Sequence, residues 1–417
     1  MSKWKIYTPD GVQDILFDEC YTKKDIEMNI RDLFRAYGFN EIESPTIEFF
    51  DVFSSEIEHF AQESMVKFFD QKGRILVLRP DITVPVARIT ATKNANVSLP
   101  IKYSYIGNVF RFNEVGGGRQ NEFTQAGVEI VGDSSAERDA EIIAMAIKTL
   151  QIAGLTDFKI DIGQVEFFKG LAEDAGFTSE DMEKVARLID RKDFVAVSEV
   201  MNKYEMDNDL KDLFLKLPGM FGSIEVINEA KEKTLNARCL NALANIEEVI
   251  SILGDYELSD YISVDLGMLK GLNYDTGIIF RGFTNGIGFP ILTGGRYDAL
   301  TESFGRSCPA TGFSLGINML MTALEKQSLL NKKPACDTLV CYTKETRKLA
   351  FKLADSFRQS GLKIDSLLCE EGEQQGVEYA KARAINGLIF IVGNDNMRVL
   401  DLLNNTVNTT SISELLK

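Results

Sequence analysis

The sequence predicts an α+β protein in which an antiparallel sheet flanked by helices carries a mainly helical insertion and a small C-terminal α/β domain. Three observations support this prediction. IKYSYIGNVFRF and EFTQAGVEIVG alternate between apolar and polar residues, as paired strands do. Residues 166–260 are amphipathic at helical spacing and have almost no strand signal. Beyond Pro334, strand and helix patterns alternate, which is typical of a parallel α/β domain.

The N-terminal part begins with a helix, because apolar residues recur at helical spacing between 26 and 34 and Gly38 follows as a C-terminal cap. The next segment, EIESPTIEFF, alternates like a strand but is interrupted by Pro45, which is usual at a sheet edge or boundary. Ile75–Leu78 then forms an apolar strand. Pro85 is expected near the first position of the following helix.

The two alternating segments named above are expected to form a hairpin, whose connection at residues 113–121 contains three consecutive glycines. A helix is predicted over 134–150 and a strand over Phe158–Ile162. After the helical insertion, strand character returns in YISVDLG, NYDTGIIFRGF and the stretch through GGRYD. TGFSLGINMLMTALEKQ is then interpreted as a glycine-spaced turn that enters a helix.

Polar residues in KQSLLNKKPACD interrupt the pattern and predict a boundary between a core of residues 1–325 and a small domain of residues 334–417. The small domain is predicted to alternate DTLVCY, a helix over 345–359, KIDSLLC, a helix over 377–384 and GLIFIVG. It has 10 basic and 11 acidic residues from Pro334 onward, a balance that argues against a dedicated RNA-binding module.

Composition excludes several classes of function. The net charge of −16 repels a phosphate backbone, so nucleic acid is not an expected partner. His59 is the only histidine, which excludes histidine-based triads and multi-histidine metal centres. The six cysteines have no CxxC spacing and suggest neither disulfides nor zinc. No stretch of 18 apolar residues occurs, so we expect a cytoplasmic protein that does not enter a membrane. The single histidine and the cysteine spacing lead us to expect no metal, and we expect no cofactor.

One strand combines polar residues with a glycine on the same face. Phe123, Gln125, Gly127 and Glu129 are two apart and therefore point the same way. We interpret the missing side chain at Gly127 as a gap for one small polar ligand, with the glycine-rich loop at residues 116–118 as a flap. The alternative is that this face is simply solvated, and the strand pattern alone favours that alternative.

Three other segments carry polar residues that suit a binding site. In LRPDIT, Asp81 and Thr83 are two apart. Arg111 lies at the end of its strand, an even number of residues after Tyr103 and Tyr105, so the three side chains are expected on the same face. TGGRYD offers Arg296, Tyr297 and Asp298 beside paired glycines; no single one of the three segments is specific.

Together these segments resemble class II histidyl-tRNA synthetases over about the first 325 residues. LRPDIT, YIGNVFRF with GGGRQNEFTQAGVE, LKGLNYDTG with GGRYDAL, and TGFSLGINML occur in the order found in that family. The C-terminal domain resembles a shortened anticodon-binding domain. The helix through Leu33 and the strand ending at Pro45 resemble the class II dimer motif, which implies a homodimer.

The sequence departs from the synthetase pattern where a nucleotide would bind. Arginines suit the charge of a triphosphate. The family has Glu-Arg in the last motif where this chain has Asn318 and Met319, and it has arginine at the position of Asn121. Lys270 replaces another arginine and lacks the bidentate fork, so that only Arg111 is retained. We therefore expect adenylate formation to be lost.

The amino-acid side of the site is better kept. The resemblance implies that Asp81, Thr83 and Gln125 hold the α-ammonium group of histidine, while Glu129 and Tyr297 address the imidazole. Asp275 stands where the family has tyrosine, which alters the site. The ligand-binding residues implied by the resemblance are Asp81, Thr83, Arg111, Gln125, Glu129, Lys270, Tyr274, Asp275 and Tyr297.

This combination is similar to the regulatory subunits of ATP phosphoribosyltransferase, and DIGQVEFFKGLAEDAGF resembles that branch except at Gln164. The resemblance implies no catalytic residues, assembly with the short-form catalytic subunit, and feedback by histidine in the first step of histidine biosynthesis. One alternative is an active histidyl-tRNA synthetase. Another is a synthetase-like protein of a different pathway, such as an amino-acid ligase acting on a protein.

Overall fold

The computed structural model describes residues 3–53, 62–112, 120–269, 274–330, 336–393 and 395–415. Two sequence predictions lie outside these residues, namely the flap at residues 116–118 and the ligand-binding role of Lys270, and so does His59.

The helices and strands of the described residues are numbered in chain order. The α-helices are α1 (Phe17–Ala36), α2 (Thr83–Thr92), α3 (Ala136–Ile152), α4 (Val165–Asp174), α5 (Ser179–Asp190), α6 (Phe194–Met201), α7 (Asn208–Lys216), α8 (Glu225–Glu232), α9 (Ala237–Asp255), α10 (Ile317–Lys326), α11 (Arg347–Gln359), α12 (Glu373–Ala382) and α13 (Ile412–Leu415). The strands are β1 (Asn40–Glu41), β2 (Ile47–Phe49), β3 (Lys67–Phe69), β4 (Ile75–Leu78), β5 (Ile101–Phe110), β6 (Glu122–Val131), β7 (Phe158–Gln164), β8 (Phe221–Gly222), β9 (Ile262–Asp265), β10 (Ile278–Thr284), β11 (Leu292–Arg296), β12 (Ala310–Gly316), β13 (Thr338–Tyr342), β14 (Ile364–Leu368), β15 (Gly387–Ile391), β16 (Asn396–Asp401) and β17 (Thr406–Ser411).

The main sheet confirms the α+β class. Nine strands of the described residues lie in the order β1-β5-β6-β12-β11-β10-β7-β9-β8. The predicted hairpin is present, since β5 and β6 pair antiparallel with Tyr105 opposite Gly127. The sheet is mixed rather than wholly antiparallel, because β1 pairs parallel with β5 and β7 pairs parallel with β9. Both parallel pairs join strands separated by long crossover segments, which parallel pairing requires.

The central strand β6 is covered on both faces. Ala126, Val128 and Ile130 pack into a core with the apolar side of α3. The opposite face of the same sheet packs against a second core that includes Tyr105 of β5 and Val84 of α2. A strand buried on both faces leaves no solvent to satisfy its polar side chains, so they must find partners within the protein.

Some elements differ from the sequence prediction. EIESPTIEFF forms two strands in different sheets, β1 in the main sheet and β2 in a three-stranded sheet ordered β2-β4-β3. Pro45 lies in the segment between them, outside both strands, as expected for a residue that cannot donate to a ladder. TGFSLG is strand β12 rather than a turn, because it pairs with both β6 and β11. Pro85 is the third residue of α2, still within the first turn, where its missing N–H costs nothing.

The segment predicted to be mainly helical contains α4–α9, together with the short strand β8. Its helices place apolar residues such as Phe168, Leu213 and Leu243 at zero exposure. None of the described helices has the length and apolarity needed to cross a membrane.

The chain divides into two compact units, one of residues 1–14 and 25–330 and the other of residues 15–24 and 331–417. In the second unit the described strands lie in the order β14-β13-β15-β16-β17. The parallel pairing of β13 with β14 and β15 agrees with the sequence prediction. The antiparallel pair β16 and β17 was not predicted, because the polar residues of β17 carry no apolar alternation.

A buried ion pair joins β11 to α3. The guanidinium of Arg296 donates from Nη2 to Asp139 Oδ1 at 2.9 Å and from Nε to Oδ2 at 3.2 Å, and both side chains are almost fully buried. Arg296 therefore has a structural contact, and it is not among the residues that we assign to a ligand.

Replacing Arg296 by lysine should lower the free energy of unfolding by about 2–4 kcal/mol, because a lysine leaves part of the buried Asp139 carboxylate unpaired. Arg187→Lys is the matched control, since Arg187 is 65% exposed and lies 4.0 Å from Glu183; its cost should stay under about 0.5 kcal/mol. Denaturant titration of both variants measures the difference. Equal stabilities would contradict the structural role of Arg296.

Candidate ligand-binding site

The site is built around the carboxyl group of Glu129 in β6, which is 1% exposed. Its Oε1 accepts hydrogen bonds from Thr83 Oγ1 at 2.8 Å and from the Tyr105 hydroxyl at 2.9 Å. Its Oε2 accepts from the Tyr297 hydroxyl at 2.5 Å. We call these four residues the Glu129 cluster. Three donors, from α2, from β5 and from the residue that follows β11, thus converge on one buried acid.

Two glycines make room for this cluster. Gly312 of β12 lies opposite Glu129, and a Cβ built there would be 1.6 Å from Glu129 Oε2. Gly127 lies opposite Tyr105, and a Cβ there would be 2.5 Å from the tyrosine hydroxyl. The absence of side chains at both positions lets the carboxyl and phenol groups lie against the sheet.

This geometry corrects two interpretations of the sequence. The gap expected over Gly127 is filled by the phenol of Tyr105 rather than left for a ligand. The alternative of a solvated strand face is wrong, since Gln125 and Glu129 are 2% and 1% exposed.

Next to the cluster, Asp81 and Gln125 form a second polar pair. Gln125 Nε2 donates to Asp81 Oδ2 at 3.3 Å, and Gln125 Oε1 accepts from the amide of Ile82 at 3.1 Å. Asp81 Oδ1 accepts from the amide of Val84 at 3.0 Å at the N-terminus of α2. A carboxylate is favourable at a helix N-terminus, where the backbone amides have no partner within the helix.

Arg111 supplies a cation at the edge of this pair. Its Nη2 lies 3.7 Å from Asp81 Oδ2, and its Nε donates to the carbonyl of Pro80 at 2.6 Å. The guanidinium carbon lies 5.5 Å from the ring centre of Phe123. Arg111 is thereby held beside Asp81.

Burial changes the protonation of the cluster. Desolvation raises the pKa of Glu129 to about 8, although the hydroxyls of Tyr297, Thr83 and Tyr105 oppose this by donating to the charged form. Burial also raises the pKa values of Tyr105 and Tyr297 well above the ordinary value, with the Glu129 charge adding to the effect. The tyrosines therefore remain neutral donors.

Tyr274 and Asp275 lie in the connection between β9 and β10. The ring of Tyr274 stacks on Tyr297, with centroids 5.4 Å apart and planes at 20°. Asp275 is half-buried, and desolvation raises its pKa well above the ordinary range while Lys169 and Arg281 oppose the shift. Lys169 belongs to α4 of the helical insertion and Arg281 to β10 of the main sheet, so Asp275 is influenced by charges from both.

The structure therefore gathers most residues that the resemblance implies. Thr83 and Tyr297 are hydrogen-bonded to Glu129, Asp81 and Gln125 are hydrogen-bonded to each other beside them, and the remaining described residues lie at their edges. Tyr105 was not assigned to the site from sequence. The sequence predicted that Tyr105 shares a face of β5 with Arg111, but only the pairing of Tyr105 with Gly127 brings the tyrosine hydroxyl to Glu129.

The positions that depart from the synthetase pattern make contacts within the chain. Asn318 Oδ1 accepts from the amide of Thr124 at 3.0 Å, and its Nδ2 donates to Gln120 Oε1 at 2.5 Å. Asn121 donates from its backbone amide to the carbonyl of Gly11 at 2.6 Å and from Nδ2 to the carbonyl of Asp10 at 3.0 Å. These amides tie the start of β6 to α10 and to the N-terminal segment.

Chemically, the arrangement suits recognition of nitrogen donors. It presents carboxyl and amide oxygens in a water-poor setting, where hydrogen bonds to charged groups are strong. Within the described residues, no group of three histidine, cysteine or acidic side chains is placed to hold a metal ion.

Comparison with known proteins places this chain in a family. The family model of histidyl-tRNA synthetase matches residues 11–320. The ATP phosphoribosyltransferase regulatory subunit of Ruminiclostridium cellulolyticum is 65% identical over 416 residues, covering 100% of this chain and 99% of that protein. That of Acetivibrio thermocellus is 52% identical over 417 residues, covering 100% of both.

Solved structures give a consistent result. An ATP phosphoribosyltransferase regulatory subunit/histidyl-tRNA synthetase from Bacillus halodurans is 29% identical, with a TM-score of 0.83 over 94% of this chain and 99% of that one. Histidyl-tRNA synthetase from Nostoc is 21% identical, with a TM-score of 0.86 over 99% and 98% of the two chains, and shows the fold alone. The chain therefore belongs to the family of ATP phosphoribosyltransferase regulatory subunits, which is built on the class II histidyl-tRNA synthetase fold, and it is a regulatory rather than a catalytic component.

Proposed function

We propose that the chain binds L-histidine at the Glu129 cluster and the adjoining Asp81–Gln125 pair, and transmits its occupancy to a catalytic partner. The observation that carries this proposal is the buried Glu129 carboxyl group, held by three hydroxyl donors beside a second carboxylate. Burying two acids is costly unless a ligand with N–H groups repays part of that cost.

The Asp81–Gln125 pair suits the α-ammonium group of an amino acid. An ammonium has three donors and no acceptor, and the oxygens of Asp81 and Gln125 supply acceptors. Arg111 lies 3.7 Å from Asp81 and would pair with the α-carboxylate of the same ligand. Lys270, which lies outside the described residues, is proposed as a further cation for that carboxylate.

The Glu129 cluster suits the imidazole ring. An oxygen of the Glu129 carboxyl group would accept the ring N–H, and the stacked rings of Tyr274 and Tyr297 offer a flat apolar wall. Asp275 is proposed to act at the edge of the ring, where its carboxyl group would accept a hydrogen bond from the imidazole.

The proposed partner is the short-form catalytic subunit of ATP phosphoribosyltransferase. The names of the relatives support assembly with a catalytic subunit. Histidine would act as the feedback inhibitor of the first step of histidine biosynthesis, in the cytoplasm. Such a signal requires histidine to favour one arrangement of the complex by about 1–3 kcal/mol.

We further propose that the chain does not form an adenylate. The amide side chains at Asn121 and Asn318 supply no charge for a triphosphate and are engaged in hydrogen bonds within the chain. Phosphate binding by a synthetase relies on arginine because its fork matches the phosphate oxygens.

A homodimer within the hetero-oligomer is also proposed. Apolar side chains are exposed on one face of the three-stranded sheet that follows α1, where Ile47 is 48% and Phe49 is 43% exposed and the register pairs them with Leu78 and Leu76. Such a cluster on a sheet surface is characteristic of a subunit interface.

Histidine binding should depend on Glu129. Glu129→Gln keeps the size of the side chain but removes the charge that the carboxyl group carries above about pH 8, so the affinity measured by calorimetry at pH 8.5 should fall about 10- to 100-fold. Glu122→Gln on the same strand is the control, because Glu122 accepts from Asn108 at the exposed end of β6. Equal affinities of the two variants would discard the site assignment.

Stability should depend on pH through the same group. Glu129 keeps its proton in the folded chain up to about pH 8, whereas the unfolded chain releases it near 4.5. The contribution is thus fully present below about pH 4.5 and is lost as the pH rises toward 8, with a slope of up to about 1.4 kcal/mol per pH unit.

Glu129→Gln cannot titrate and should lack this component. The difference in unfolding free energy between the wild-type chain and the variant, measured in denaturant at pH 5.5 and 7.5, should therefore shift in favour of the variant at the higher pH. A difference that does not change with pH would contradict the raised pKa.

Mixing the chain with a short-form catalytic subunit should yield a co-eluting complex with higher turnover, and histidine should inhibit that turnover. Glu129→Gln should still assemble but should need more histidine for inhibition, because assembly does not use the buried carboxyl.

Histidine-dependent exchange of pyrophosphate into ATP by the chain alone would instead identify a working synthetase. Failure to assemble would favour a synthetase-like protein of another pathway.

A further inference from the structure

The connection between β9 and β10 carries Tyr274 and Asp275 and is held by the helical insertion on both sides. On the β9 side, the amide of Leu269 donates to Asp190 Oδ1 at 3.2 Å. On the β10 side, Lys169 Nζ donates to the carbonyl of Asp275 at 3.1 Å. Asp190 ends α5 and Lys169 lies in α4, so two helices of the insertion each hold the backbone of one described side of the connection.

Asp190 is itself fixed to the sheet. Its Oδ1 accepts from Arg281 Nη2 of β10 at 2.8 Å. Two residues later, Lys192 donates to both oxygens of Asp265, at 2.8 and 3.0 Å, and Asp265 Oδ1 accepts from the amide of Gly267. Lys192 has a φ of +57°, an uncommon conformation for a residue with a side chain, and its ion pair helps to hold it there.

The backbone of the insertion also packs directly on the connection. The amide of Leu266 donates to the carbonyl of Met220 at 3.0 Å. At Gly267 a Cβ would lie 2.5 Å from the carbonyl oxygen of Leu217, so only glycine permits this approach. The segment leading from β9 therefore follows the insertion as well as the sheet.

These contacts lead to the Glu129 cluster. Tyr274 stacks on Tyr297, and the Tyr297 hydroxyl donates to Glu129. A displacement of the connection would move the Tyr274 ring and alter the wall beside the buried carboxyl.

We propose that Asp190 and Lys169 are positioning residues, through which the helical insertion sets the place of Tyr274 and Asp275 and hence the affinity of the site for its amino-acid ligand. The ligand part of this inference rests on the proposed function. It identifies the insertion as the part of the chain through which a bound partner would raise or lower that affinity, because any shift of α4 or α5 is passed to the backbone at Leu269 and Asp275.

Hydrogen–deuterium exchange of the ligand-free full chain tests the positioning. In Asp190→Ala the peptide containing Leu269 should exchange at least about fivefold faster, because the Leu269 amide loses its acceptor. In Lys169→Met the peptide spanning 274–277 should also exchange at least about fivefold faster, because the Asp275 carbonyl loses the donor that holds this backbone in place. Glu247→Ala and Lys231→Met are matched controls, since they break an ion pair between α8 and α9 that does not contact the connection. The controls should exchange like the wild-type chain at both peptides.

A variant in which the charges of Asp190 and Arg281 are swapped separates the positioning role of Asp190 from its contribution to stability. The double variant Asp190→Arg with Arg281→Asp restores an ion pair but supplies no acceptor for the Leu269 amide, so the unfolding temperature should recover while exchange at Leu269 stays fast. Slow hydrogen–deuterium exchange at Leu269 in this variant would mean that Asp190 acts only through its ion pair, and it would overturn the proposal.

Calorimetry with L-histidine supplies the second readout. Asp190→Ala and Lys169→Met should each weaken binding about 5- to 20-fold, and the controls should bind within about twofold of the wild-type chain. Faster exchange with unchanged affinity would overturn the link to the site, and unchanged exchange in both variants would overturn the positioning role. If the wild-type chain does not bind histidine, the proposed function fails, whereas the exchange result still decides the positioning.

Discussion

The burial of the Glu129 carboxyl group is the constraint on which the rest of the site depends. A lone acid in a water-poor interior is strongly disfavoured, so the fold must bring donors to it. Those donors come from Thr83, Tyr105 and Tyr297, which lie on elements far apart in the chain. The burial of this one side chain therefore depends on the position of α2 over the sheet, on the register of the β5–β6 hairpin and on the residue that follows β11.

Close approach of backbone and side chains makes this possible. Gly312 and Gly127 lack the Cβ atoms that would collide with Glu129 and with Tyr105. The same device occurs at Gly267, where the absence of a side chain lets the insertion lie against the connection that carries Tyr274. In each case a glycine matters because of what lies opposite it rather than because of its own flexibility.

The chain keeps the architecture of a synthetase while its polar side chains are used differently. Amide groups at Asn121 and Asn318 bind the start of β6 to neighbouring segments, in positions where the synthetase pattern has charged residues. This agrees with a regulatory subunit, and we propose that it retains the amino-acid side of the site. The insertion, which contacts the connection beside that site, is then the part of the chain through which we propose that binding is regulated.

The sequence by itself determined the α+β class and the hairpin of β5 and β6, because both follow from periodicity. The order of its motifs also identified the polar residues of LRPDIT and EFTQAGVE as candidates for one site. It did not predict β12, whose glycines resemble a turn until pairing with two neighbours makes them a strand. It also suggested a gap at Gly127 that the Tyr105 phenol fills. Strand register and the packing of both sheet faces were decided only by the tertiary structure, because they depend on contacts between residues remote in sequence, which periodicity does not encode.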